Sequence, residues 1–188
     1  MRLFVAVNLP EEERRAAYEA TAPLRRGDLP VRWVQAASLH LTLKFLGEVS
    51  EEQAPAIAAA LDAAVSAARP FTVGLGGVGA FPSLARPRVV WLGVERHPAL
   101  ELLANDVEQA LQPFGFEAEL RPFQPHITLG RAKQGAKPAA FGKLESLAAR
   151  VTYEATAPVH SVDLMESELR ADGAVYRVRH PALLKGAV

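Results

Sequence analysis

Cysteine is absent from the 188 residues. That excludes disulfide staples, thiolate nucleophiles and cysteine-ligated zinc or iron–sulfur centres, and it suits a reducing compartment. Net charge is absent as well, with 21 Lys and Arg against 21 Asp and Glu. No broad basic surface is therefore available to coat a long nucleic acid, and any recognition of phosphate must be local. No apolar run approaches the roughly 18–20 residues of a membrane span. The opening MRLFVAVNLPEEERR holds an apolar stretch of only Leu3 to Val7 before three glutamates, too short for the core of a secretory signal. These absences point to a cytoplasmic protein with no membrane attachment. What the chain does have is 49% hydrophobic residues, enough to bury a substantial core in one domain or two intimately packed lobes.

Apolar and β-branched runs bounded by Pro and Gly mark strands at RLFVAVNL, VRWV, Leu39 to Leu46, FTVGLGGVGAF, VVWLGV, FQPHITLGR, ARVTYEATAP, HSVDLMESEL and AVYRVRH. Glutamates crowd the start of a helix after Pro10, which Gly27 and Pro30 close. Ser50 and Gln53 have capping-box spacing ahead of a second helix that Pro70 ends, and Pro55 sets its regular start a few residues later than Ser50 implies. A third helix is entered at Pro98 and stopped by Pro113. The stretch AKQGAKPAAFGK reads as a loop.

Against this background the chain writes one pattern twice. SLHLTLKFLG carries His40 and Thr42, and QPHITLGR carries His126 and Thr128, each offset from its counterpart by 86 residues. The same offset lays Arg2 on Arg88 and brings FTVGLGGVGAF onto APVHSVDLMES, with the helices after Pro10 and Pro98 nearly superposed. So long a period describes two similar lobes rather than a solenoid. The expected fold is α+β and bilobal: one catalytic domain over residues 1–188, its lobes related by a pseudo-twofold axis. Mainly antiparallel sheet, helices outside and a central cleft complete the expectation, because several strand connections are too short for a crossover helix.

Side chains two apart in a strand share a face. His40 and Thr42 therefore project together, as do His126 and Thr128, while Leu41, Leu43, Ile127 and Leu129 turn inward. Two imidazoles and two hydroxyls around one cleft make an acid–base pair with a hydroxyl clamp. An imidazole titrates near pH 6.5, so one copy can accept a proton from attacking water while the other gives one to a leaving oxygen. Threonine hydroxyls donate to anionic oxygens. A phosphate ester suits the set, since in-line displacement needs base and acid on opposite sides of phosphorus. Symmetry alone does not say which histidine is which. Neither motif has the paired histidines or nearby carboxylate of a zinc signature, and no metal site is expected.

Together, HLTLKFLG, PHITLGR, RLFVAVNLP and RPRVVWLGV resemble the two-histidine phosphoesterase superfamily, specifically the bacterial and archaeal RNA 2′,3′-cyclic phosphodiesterases, historically called 2′-5′ RNA ligases. The resemblance covers almost the whole chain in order. It implies a V-shaped cleft and hydrolysis of an RNA-terminal 2′,3′-cyclic phosphate to a 2′-phosphate, without metal or nucleotide cofactor. It also implies His40 as proton donor to the leaving 3′-oxygen, His126 as proton acceptor, and Thr42 and Thr128 as phosphate-binding hydroxyls. Three rivals share these residues: 2′-5′ RNA ligation, a phosphodiesterase for another small cyclic nucleotide, and a non-catalytic binder of RNA ends. RNA ends or small nucleotides are the expected partners, and a monomer is the expected state because the two lobes supply both halves of the site.

Neighbouring residues carry further expectations. Arg131 ends the second motif strand, where its planar fork suits phosphate oxygens. Lys44 joins the face of His40 and Thr42 if the strand stays regular, adding positive charge to the cleft. Phe45 alternates with that face and is expected in the core, as are Trp33 and Trp91. The loop 132–140, with Lys133 and Lys137, is read as an exposed loop placed where it could close over an RNA end. His97, His160 and His180 lack the motif and are read as structural or surface residues.

Overall fold

In chain order the elements are β1 (Arg2–Asn8), α1 (Glu11–Ala20), α2 (Ala22–Arg25), β2 (Val31–Trp33), β3 (His40–Glu48), α3 (Ala54–Val65), β4 (Phe71–Pro82), β5 (Pro87–Val94) and α4 (Pro98–Leu111). They continue with β6 (His126–Ala132), α5 (Leu144–Ala149), β7 (Glu154–Val159), β8 (Ser161–Arg170) and β9 (Gly173–Leu183). These come from a computed structural model that describes residues 1–187. Among the described residues no helix is long and apolar enough to cross a membrane.

Every strand pair is antiparallel, and the nine strands form one sheet ordered β7-β4-β5-β6-β3-β1-β8-β9, with β2 attached to β6. The centre of that order is the β3–β6 junction, made by Leu41 opposite Ile127. These two residues are themselves related by the 86-residue offset, so the pseudo-twofold runs between them. Outward from it β5 answers β1, β4 answers β8 and β7 answers β9. The α+β reading with two related antiparallel halves is borne out, and the halves meet edge to edge through this single pair.

One face of the sheet is covered by helices. Leu3, Val5, Val7, Leu41, Leu43, Val90, Leu92, Ile127 and Leu129 are all buried there, each such side chain contributing about 1.5–3 kcal/mol relative to exposure. α4 presents Leu100, Leu103, Ala104, Val107 and Leu111 to this core, the spacing of one helix face. α3 does the same with Ala54, Ile57, Leu61 and Val65; it starts at Ala54, just ahead of Pro55, as the position of that proline required. α5 was not foreseen in the sequence. At six residues it is too short to show a period, yet it buries Leu144 and Ala148.

Two β-bulges decide what the other face presents. Along β1 and β3, Ala6 pairs with Thr42 but Val5 pairs with Lys44, leaving Leu43 without a partner. Along β5 and β6, Trp91 pairs with Thr128 but Val90 pairs with Gly130, leaving Leu129 out in the same way. One extra residue on one strand reverses the facing of everything after it. The repeat therefore extends to its irregularities.

Candidate active site

One residue to either side of the Leu41–Ile127 pair, the antiparallel register sets His40 across from Thr128 and Thr42 across from His126. All four lie on the face away from the helices. Diagonal neighbours in such a pair are about 7–8 Å apart at Cα, a separation that leaves room for one phosphate between the rings. Each ring is held by the carbonyl two residues earlier in its own chain: Nδ1 of His40 lies 2.7 Å from Ser38 O, and Nδ1 of His126 lies 2.7 Å from Gln124 O. Donation from Nδ1–H leaves Nε2 of each neutral ring as the free acceptor.

Aromatic rings fix the imidazoles sideways. His40 sits 5.0 Å from the ring of Phe4 and 5.1 Å, edge-on, from Tyr176. His126 meets Phe81 edge-on at 4.9 Å, and Phe81 in turn lies 5.4 Å from Trp91. Burial among these rings lowers the pKa of both histidines; the backbone carbonyls oppose the shift, and the positive charge of Arg131 reinforces it at each ring. His126 lowers His40 further. The charge of the same guanidinium thus acts on both imidazoles.

The bulges correct two assignments and explain them. Lys44 does not join the face of His40 and Thr42: past the Leu43 bulge it turns under the sheet, 3% exposed. There its Nζ donates to Glu108 Oε1 at 2.9 Å and to Glu117 O at 2.7 Å. Phe45 takes the place on the open face that the regular strand would have given Lys44. In the second half the same step turns Gly130 inward and Arg131 outward. Gly130 has no side chain because Val31 and Trp33 of β2 occupy the space where its Cβ would stand.

β2 also supplies a residue that sequence reading missed. Arg32 pairs in register with Arg131, so both project from the open face. A second missed feature lies beside His40: Asn8, its register partner, donates to Asp163 at 2.6 Å, and Asp163 is held from the other side by Ser161 at 2.8 Å. No local motif marks either; both come from strand pairing across the chain. Trp33 is partly buried against the core as expected. Trp91, expected in the core, is half-buried on the open face opposite Thr128 instead, because it alternates with the core residues Val90 and Leu92. His97 caps α4 by accepting from Ala99 N, and His180 pairs with Asp62 at 2.8 Å, both structural roles; His160 is exposed. The loop 132–140 leads into a 3-10 turn, Pro138–Phe141, anchored by the buried Phe141.

Among the described residues no three His, Cys, Asp or Glu side chains converge as metal ligands. The arrangement is a pair of oriented imidazoles facing an interval lined by two hydroxyls and a guanidinium. It can accept a proton on one side of an anionic centre, donate one on the other, and hold the anion between.

The family model described as the 2′-5′ RNA ligase superfamily matches residues 12–171. A Thermus thermophilus protein named RNA 2′,3′-cyclic phosphodiesterase is 40% identical over 99% of this chain and 91% of its own length. A Geobacillus stearothermophilus protein of the same name is 37% identical over 79% of this chain, a match that spans only 48% of that protein. In structure, E. coli LigT complexed with 3′-AMP superposes with a TM-score of 0.73 at 30% identity, covering 97% of both chains.

Proposed function

The chain belongs to the 2′-5′ RNA ligase superfamily, and we propose that it hydrolyses the terminal 2′,3′-cyclic phosphate of RNA to a 2′-phosphomonoester by two-histidine acid–base catalysis. The observation that carries this reading is the pair of imidazoles set diagonally across the pseudo-twofold, each held through Nδ1 by a backbone carbonyl. The two halves of the chain make a single catalytic unit. One copy, acting in the cytoplasm on RNA ends, suffices.

Water approaches phosphorus from the side of His126, whose Nε2 takes its proton. His40, protonated at Nε2, gives a proton to the 3′-oxygen as the P–O3′ bond breaks, and the 2′-ester remains. Thr42 and Thr128 donate to the non-bridging oxygens. Arg131, with Arg32 beside it, offsets their charge. The test is incubation of an oligonucleotide ending in 2′,3′-cyclic phosphate with chelator present. A 2′-phosphate end is the expected product; an intact end after long incubation marks a binder, and activity restored only by added zinc overturns the metal-free mechanism.

The pH dependence follows from the sign of the shifts. Both histidines titrate below 6.5 in the free protein, so the base is ready at neutral pH while the acid form of His40 is already scarce. A bound phosphate anion beside His40 favours the imidazolium and raises that pKa. The alkaline limb of kcat/KM, which reports free enzyme, is expected below pH about 6.5, and that of kcat at higher pH. Arg131→Met removes a cation beside both rings. It is expected to lower kcat/KM at neutral pH by about 10- to 100-fold and to move the kcat/KM limbs upward. Limbs unchanged by the substitution would show that Arg131 lies outside the electrostatics of the dyad.

A further inference from the structure

The two imidazoles have different neighbours on the side away from the β3–β6 junction. Asn8 faces His40 across the β1–β3 ladder, and Gly93 of β5 holds the corresponding place beside His126. Past Gly93 lies an open trough bounded by Gly76, Gly77, Glu95 and Glu154. It presents two carboxylates and no cation, so it repels a phosphate. Past Asn8 lies a smaller cavity of about 200 Å³, bounded by His40, Ser38, Arg14, Asp163 and Tyr176.

The smaller cavity carries a cation and a carboxylate that do not meet. Arg14 projects half-buried from α1. Of the five N–H donors of a guanidinium, it places one on an acceptor, Nη1 giving to Ala37 O at 2.9 Å. Its Nε is shut off from solvent with no partner, and among the described residues it forms no ion pair. Asp163 is 6% exposed. Its oxygens accept from Asn8 Nδ2 at 2.6 Å and Ser161 Oγ at 2.8 Å, neutral donors that leave its charge unpaired. Charges withdrawn from water and left unpaired weaken a fold. A ligand that brings an anion to one and a hydroxyl to the other answers both.

The connectivity of the substrate says what arrives there. The leaving 3′-oxygen faces His40. The carbon that bears it leads through C4′, C5′ and O5′ to the phosphodiester that joins the rest of the chain, whereas the base hangs from C1′ on the O2′ side of the ribose. The acid therefore marks the flank on which the chain continues, and the cavity beside His40 lies on that flank. We propose that this cavity is the subsite for the internucleotide linkage on the 5′ side of the terminal nucleotide, its phosphodiester held by Arg14 and the adjoining 2′-hydroxyl by Asp163; this rests on the phosphodiesterase reading. That hydroxyl belongs to the preceding ribose, on the carbon next to the one whose oxygen is esterified to the phosphate, so anion and hydroxyl come as a fixed pair. A carboxylate that would repel a bare phosphate becomes an acceptor, and the 2′-hydroxyl it accepts is the group that tells RNA from DNA. Recognition spans one linkage, as suits a chain with no net charge.

The test compares three substrates on the wild type and Arg14→Gln: adenosine 2′,3′-cyclic phosphate, the dinucleotide ApA ending in 2′,3′-cyclic phosphate, and that dinucleotide with a 2′-deoxy first residue. For the all-ribose dinucleotide Arg14→Gln is expected to lower kcat/KM by about 10- to 100-fold, the range of a lost charge-assisted hydrogen bond. The loss is expected to be at least tenfold smaller for the mononucleotide. The 2′-deoxy residue is expected to cost the wild type about 3- to 10-fold. Arg14 also holds the carbonyl of Ala37, next to the Ser38 whose carbonyl orients His40, and a merely structural role would cost every substrate alike. Equal losses on mononucleotide and dinucleotide, or equal wild-type rates on the ribose and deoxyribose dinucleotides, would overturn the subsite. Calorimetric binding of adenosine 2′-monophosphate and of ApA carrying a 2′-phosphate separates the two readings. If the wild type turns over no substrate but Arg14→Gln weakens binding of the dinucleotide at least tenfold more than that of the mononucleotide, the hydrolase reading fails and the subsite stands. If both weaken equally or neither changes, the subsite fails.

Discussion

His40→Ala and His126→Ala are each expected to lower turnover of a 2′,3′-cyclic phosphate end by at least about a hundredfold, and by as much as about 10⁴. Neither residue is a mere ligand in the geometry described. Binding an anion between Thr42 and Thr128 would be served by any donors, whereas a backbone carbonyl fixing Nδ1 in both halves leaves both Nε2 atoms free for proton transfer. The loss should therefore fall on kcat rather than on KM. Because one histidine accepts while the other donates in the same displacement, the double variant is expected to fall well short of the product of the two single losses. Folding is the necessary control, since His40 also packs against Phe4 and Tyr176. Circular dichroism and a thermal midpoint for each variant within a few degrees of the wild type would locate the loss in chemistry. A variant that keeps its fold and more than a tenth of wild-type turnover would remove its histidine from the catalytic machinery.

That the site was legible in the sequence at all rests on period two and on duplication. His40, Thr42, His126 and Thr128 each lie before the bulge in their strand, where alternation holds. Arg131 was reached because it ends the motif strand, although a strictly regular β6 would have turned it inward. The errors begin one residue past the bulge. Lys44 and Phe45 exchanged faces because strand facing after Leu43 is set by pairing with β1, a partner some forty residues earlier in the chain. A trace of this is present in the sequence. The buried leucines run Leu39, Leu41, Leu43 and then Leu46, and that change from odd to even positions is the mark of an inserted residue. The register of Arg32 against Arg131 and the single-pair junction of the two halves leave no such trace, since each depends on long-range pairing of short segments. The helices were legible where prolines bound them and missed where, as in α5, six residues were too few.

The same bulge yields the second large effect, on stability. Lys44→Ala is expected to destabilise the fold by about 3–5 kcal/mol, the range for breaking a buried ion pair from one side, and to lower Tm by roughly 10 °C in a chain of this size. Its side chain is 2% exposed and that of Glu108 is 19% exposed, so solvent does little to screen the pair or to replace a lost partner. Two groups are stranded by the substitution: the Glu108 carboxylate on α4 and the carbonyl of Glu117. Glu108 also accepts from Glu119 N at 3.2 Å, so Lys44 ties the underside of β3 to α4 and to the segment after it. That segment runs on to Gln124, whose carbonyl orients His126. Loosening it should broaden the placement of the base as well as weaken the fold. Lys44→Met combined with Glu108→Leu removes both charges at once and is expected to recover most of the stability, because an apolar replacement of a buried pair is often neutral. Urea unfolding of the three proteins measures this directly. A Lys44→Ala midpoint corresponding to less than about 1 kcal/mol would mean the pair behaves as a surface salt bridge, and the inward turn of Lys44 at the bulge would lose its energetic reason.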